Sequence, residues 1–446
     1  MFSWFLTTLA MAVSSGPAPD LHATDLPAIT STFEVALKSG PAGDEAIARL
    51  RAGGPEVFDV LVRLHRERSS TQGAERWEAV LDQVARQRHA WASGLFWFTD
   101  LEAAKARAQK EKKPIVSLRL LGDLDELFSC ANSRFFRTVL YPDPAIAQAL
   151  HDGFILHWES VRKAPRIRID FGNGQVLERT ITGNSLHFML DGNGHAVDAF
   201  PGLASAEAFK GWLDTAGAAA RTLGALAGKA RTDKLQELHA HWLNLRVNRW
   251  ANALNSLHIK VFPLTEYVPG AATVARLAAL TSAALLERMA LAKVATFKGF
   301  DAAVRAVMAR DGATPARPSA RAAASLAVSK MVVERPMLPF VDNVTDKLGQ
   351  SLMKDEVQND LILHSKIHVL FLQLLAARQA EGGGALPLPT LTERIYADAF
   401  LTPLDDPFMG LAPPDVFTAI PPSAEKTTSA AAPGTRGARG TILGGP

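Results

Sequence analysis

The sequence predicts an α/β domain, ordered β-α-β, inserted hairpin and β-β-α, set between largely α-helical N- and C-terminal regions. Three observations predict it. Short apolar runs of strand length recur at Ile115–Leu120, Phe154–Trp158, Leu186–Leu190 and Ala196–Phe200. Helix signals separate the first two runs, and turn signals separate the last two. Outside this stretch the apolar residues recur at helical spacing. At 446 residues the chain exceeds one ordinary core. It divides into a leader (1–25), a helical region (26–94), the α/β domain (95–217), a helical domain (218–420) and a tail (421–446).

The leader carries an apolar run, Phe2–Val13, followed by Ser-Ser-Gly, but no Lys or Arg precedes Lys38. A secretory signal begins with a positive segment, so a cytoplasmic location is favoured, with export as the alternative. Residues 26–91 show helical spacing at Leu50, Val57-Phe58, Leu61-Val62, Leu81 and Val84, broken at Gly53-Gly54-Pro55 and at Ser69–Gly73. Thr99-Asp-Leu-Glu102 reads as a capping box with Thr99 as N-cap. The helix it opens ends before Pro114.

Strand Ile115–Leu120 follows, then helix Ser133–Leu140, helix Pro144–Leu150 and strand Phe154–Trp158. Parallel strands need such a crossover. Arg166–Phe171 and Gln175–Ile181 alternate around Gly172-Asn173-Gly174 and read as a hairpin. A second hairpin turns at Asp191-Gly-Asn-Gly194, and a helix from Ser205 to Ala216 closes the unit. From Leu223 to Arg378 the pattern is helical, and Leu391–Phe400 is one more helix. The tail is rich in Ala, Gly, Pro, Ser and Thr without apolar period, the composition of disordered segments.

The 48 basic and 45 acidic side chains leave a net charge of +3, with the basic residues scattered. That argues against nucleic acid as a partner. No stretch has the length and apolarity of a membrane span. The single cysteine, Cys130, excludes internal disulfides and zinc sites built on several thiolates.

Trp97-Phe-Thr-Asp-Leu-Glu-Ala-Ala-Lys and Lys112-Lys-Pro-Ile-Val116 resemble the opening of thioredoxin-like domains, where an amphipathic helix precedes a Lys-Pro-led central strand. Ser185-Leu-His-Phe-Met-Leu-Asp191-Gly-Asn-Gly resembles the fourth strand and turn of that family. The resemblance covers roughly a quarter of the chain and rests on element order. It places Cys130-Ala-Asn-Ser133 where the family carries Cys-x-x-Cys, as a Cys-x-x-Ser variant. It also implies that Asn184 and Ser185 border the substrate groove, with Ser185 replacing the family's cis-proline. The implied activity is thiol-disulfide exchange through a single thiol, with a protein or a low-molecular-weight thiol or disulfide as partner and no cofactor. The alternative is a catalytically inactive thioredoxin-like scaffold whose helical domains bind a protein partner.

In open α/β sheets ligands sit beyond the carboxyl ends of strands, and Cys130 is expected there, exposed at a helix N-terminus that would stabilise its thiolate. Ser133 would donate a hydrogen bond to the sulfur, and Arg134 and Arg137 would add positive charge. Asp123, Asp125 and Glu126 would oppose it, and the competing reading of Cys130 is a small buried hydrophobe. His157 and His187, on predicted core strands, read as structural histidines, with a base beside Cys130 as the alternative. His239 and His241 read as surface or capping residues. Glu356, Asp360, His364 and His368, spaced four apart, share a helical face; they read first as a solvated face and second as a weak metal candidate, lacking a further ligand from elsewhere.

Overall fold

The computed structural model describes residues 21–68, 73–180, 184–256, 363–400 and 402–407, together with Met409. The apolar run of the leader, the tail, and residues 257–362 with Glu356 and Asp360 lie outside the described residues.

The fold is mixed α/β. Five helices open it: α1 (Leu26–Ala36), α2 (Pro41–Ala52), α3 (Gly54–Glu67), α4 (Ala74–Ala85) and α5 (Ala90–Ser93). Local chemistry sets their starts. The Asp25 carboxylate accepts from the Ala28 amide at 3.1 Å, and a proline stands in the first turn of each of the first three. Their apolar faces close a core of their own around Ile29, Phe33, Leu50, Phe58, Leu61 and Leu81.

Helix α6 (Leu101–Glu111) leads into β1 (Ile115–Leu121). Its N-cap is Asp100, whose carboxylate accepts from the Ala103 amide at 2.8 Å; Thr99, expected in that role, instead takes a guanidinium N–H from Arg51. A carboxylate at the helix's positive end outcompetes the neighbouring hydroxyl. A ten-residue helical stretch follows, α7 (Ala131–Phe135) widening into a π turn over Phe136–Leu140, and then α8 (Pro144–Gly153) and β2 (Ile155–Arg162). β3 (Arg166–Asp170) and β4 (Val176–Thr180) pair only with each other, as the inserted hairpin. β5 (Ser185–Leu190), β6 (Ala196–Pro201) and α9 (Ala206–Leu223) complete the unit.

The main sheet runs β2-β1-β5-β6. β1 and β2 are parallel, in register from Ile115 opposite Ile155, while β5 and β6 are antiparallel to their neighbours. Every residue of β1, β5 and β6 is buried, because helices cover both faces.

C-terminal to the sheet are α10 (Gly228–Ser256), α11 (Ser365–Ala380) and α12 (Leu388–Arg394), the last continuing as a π turn over Ile395–Ala399. Leu235, Ile367, Phe371, Leu391 and Tyr396 from these helices share one hydrophobic core with the strands. Two buried polar ties fix that union. Arg231 of α10 reaches Asp191 in the β5–β6 turn, and Tyr396 reaches the backbone at the end of β1. Among the described residues no helix is long and apolar enough to cross a membrane.

Candidate functional site

β1 ends at Leu121, and the chain then loops through Asp123–Ser129 before α7. The Cys130 amide donates back to the Leu121 carbonyl at 3.0 Å, which holds the cysteine at the carboxyl end of the central strand. Cys130 is the N-cap residue of α7, as expected. Its exposure is not as expected: the thiol is 0% accessible and belongs to the hydrophobic core.

The neighbouring residues also depart from the expected roles. The Ser133 hydroxyl lies 2.7 Å from that of Ser129 and donates to the Cys130 carbonyl at 2.8 Å, so it serves the helix backbone rather than the sulfur. Arg134 is buried, and its carbonyl accepts from Thr138. Arg137 is fully buried and clasps the preceding loop, donating to the carbonyls of Leu124, Glu126 and Leu127 and to Ser129. Burial first, then repulsion from Arg134 and Arg88, lowers the Arg137 guanidinium to about 9. Arg137, expected to add positive charge at the thiol, therefore organises its loop.

The mouth of the sheet is covered by the chain's own C-terminal segment. The Tyr396 hydroxyl lies 3.4 Å from the carbonyls of both Arg119 on β1 and Asn184 just before β5, and donates toward them. The Asn184 amide donates to the Thr402 hydroxyl at 2.8 Å. Arg162, at the end of β2, donates to the carbonyls of Leu404 and Asp406 at 3.2 and 2.7 Å. Tyr396, Phe400 and Met409 of this segment are buried. Tyr396, Thr402, Leu404 and Asp406 thus meet β1, the end of β2 and the segment just before β5, beside Asn184 and Ser185. The Ser185 side chain is wholly buried, and its hydroxyl makes no hydrogen bond among the described residues.

Neither histidine on the strands faces the thiol as a poised base. His157 Nδ1 bonds Ser117 on β1 at 2.9 Å, and burial with Arg119 repulsion lowers it to about 3. His187 Nε2 bonds the Tyr141 hydroxyl at 2.7 Å among Phe136, Phe209 and Trp212, and burial alone lowers it to about 3. Both stay neutral at pH 7 and act as packed hydrogen-bonding groups.

The weak metal candidate fares differently. His364 and His368 are buried, not part of a solvated face, and His239 is buried as well, a correction to its surface assignment. The three converge on Asp198 of β6. His239 and Asp198 were missed because they lie on α10 and β6, remote in sequence from α11. The single available signal was an Asp on a strand otherwise wholly apolar, Ala196-Val-Asp-Ala-Phe200. His241 is exposed, in keeping with its reading.

No protein-family model, curated protein or solved structure matches the chain. The class that fold and site define is therefore a mixed α/β protein with a four-stranded mixed sheet.

Proposed function

We propose that the chain is a thioredoxin-like scaffold, without thiol chemistry of its own, whose helical regions bind a protein partner. The sheet order β2-β1-β5-β6, with one parallel and two antiparallel pairings and a closing helix, supports the thioredoxin-like part of this reading. One observation carries the absence of thiol chemistry: Cys130 is 0% accessible. A thiolate must reach its disulfide in line, and a sulfur with no accessible surface in the hydrophobic core cannot. The substrate groove that the resemblance implies is likewise occupied by residues 396–407.

The test is thiol accessibility in the native full-length chain. Cys130 should resist a colourless-to-coloured aromatic disulfide reagent for hours at pH 8, yet react at once in guanidinium chloride. Tyr396→Ala should speed native labelling by loosening the strap. Rapid native labelling at neutral pH, together with mixed disulfides that vanish in Cys130→Ser, would restore thiol-disulfide exchange as the function.

A further inference from the structure

Asp198, His239, His364 and His368 come from three elements. Asp198 is on β6, His239 on α10, and the two histidines stand at the start of α11. All four are buried: Asp198 is 3% exposed, His239 0%, His364 3% and His368 1%. Burying one carboxylate among three imidazoles is costly unless each lone pair and each proton has a partner.

The protons can be assigned from the hydrogen bonds. His239 Nε2 lies 3.0 Å from the Val197 carbonyl, which can only accept, so Nε2 carries the proton and Nδ1 is a bare lone pair. That lone pair faces His368 Nδ1 at 2.7 Å. Asp198 Oδ2 accepts from the Trp212 indole at 2.9 Å and faces His364 Nε2 at 3.4 Å. Its other oxygen, Oδ1, accepts no hydrogen bond among the described residues, and lies 3.8 Å from His368 Nδ1. One ligand atom from each of Asp198, His239 and His368 falls within 4.8 Å of the others.

We propose that Asp198, His239 and His368 form a buried binding site for a divalent first-row cation of the zinc type. Two imidazoles and one carboxylate are a recognised zinc donor set, and the nitrogen-rich composition disfavours calcium and magnesium, which demand oxygen. A cation would satisfy Asp198 Oδ1, the atom left without a partner, and take the place of the proton that the two Nδ1 atoms share, freeing both as ligands.

The surroundings are those of metal ligands. His239 donates its remote N–H to a backbone carbonyl, and Asp198 is oriented by an indole N–H, which fixes tautomer and direction. His364 Nδ1 accepts from Arg246 at 2.8 Å, so its Nε2–H points to Asp198 and positions that carboxylate. The Arg246 guanidinium, held on His364, brings a positive charge near the site, and the Asp198 carboxylate offsets it. Bonds of about 2.0–2.1 Å to both Nδ1 atoms would require them to part by about half an ångström, within reach of small ring rotations.

The test uses the full-length chain stripped with a chelator and titrated with Zn2+ by calorimetry, and with Co2+ by visible absorption. One cation per chain should bind, Co2+ should give the intense bands of a low-coordinate site, and zinc X-ray absorption should show two imidazoles. His239→Gln and His368→Gln should each weaken binding at least as much as loss of an outer-shell partner, roughly 10–100-fold. His241→Gln, at an exposed position one turn face away, should leave it unchanged. If the variants unfold, the absorption spectrum of wild-type zinc protein decides by itself. Absence of stoichiometric binding, a spectrum without paired imidazoles, or a loss in His241→Gln equal to that in His368→Gln would overturn the site.

Discussion

Replacing Arg231 by methionine tests whether α10 is pinned to the sheet as the geometry implies. Arg231 is 4% exposed and its partner Asp191 is 0% exposed. The guanidinium donates twice to Asp191 Oδ2, from Nη2 at 2.9 Å and Nε at 3.2 Å, and its Nη2 also reaches the Ala196 carbonyl at 3.2 Å. Removing one partner of a buried pair strands the other charge, at a cost of about 3–5 kcal/mol. Asp191 would keep two amide donors, those of Asn193 and His195 at 3.0 Å, and the half-exposed His195 ring at 3.6 Å. The loss should therefore fall near the lower end, about 3 kcal/mol. Urea unfolding followed by circular dichroism, with an unchanged denaturant slope, measures it. The double variant Asp191→Asn with Arg231→Met removes the stranded charge and should recover part of the loss, a coupling in the range of roughly 0.5–3 kcal/mol. The pH response follows the same logic. Burial raises the Asp191 carboxyl, but the His195 hydrogen bond, Arg231 and the His195 amide together hold it below the usual range. Its contribution is thus present above that range and lost as pH falls, and Arg231→Met should lose it at higher pH than the wild type. A cost under about 1 kcal/mol, no more than an ordinary exposed pair supplies, with no recovery in the double variant, would refute the reasoning.

Two further outcomes follow from local geometry. His151 on α8 bonds Asp59 on α3, and chiefly through that bond, against burial and with help from Asp152, its pKa rises to about 9. The pair therefore stabilises fully below the ordinary histidine value and fades as pH climbs toward 9, so melting temperature should drop over that window and drop less in His151→Gln. On α9, a Cβ at Gly217 would meet the Phe154 ring at 2.9 Å, whereas one at Gly211 meets nothing within 4 Å. Gly217→Ala should destabilise by about 1–3 kcal/mol through overpacking, and Gly211→Ala should stabilise by up to about 1 kcal/mol through helix propensity; melts of the two variants should shift in opposite directions.

The elements themselves were legible because local rules govern them. Pro144 and Ser205 mark helix starts that the structure keeps, and the Asp143 and Ser205 side chains cap them directly. Gly172 and Gly174 sit at φ of +71° and +83° in the β3–β4 turn, a conformation that glycine adopts without strain. Where two local signals competed, as at Thr99 and Asp100, the sequence named the right turn and the wrong residue.

Burial decided the functional part, and burial is a property of the assembled chain. Cys130 is buried in a core that also takes in Tyr396, more than 260 residues away in the chain and silent in any local pattern. His364 and His368 were visible as a pair four residues apart. Their completion by His239 and Asp198 required α10 and α11 to pack together over β6. Periodicity along the sequence determines which face of an element is apolar; only tertiary packing determines what that face is pressed against, and hence which polar groups meet out of water.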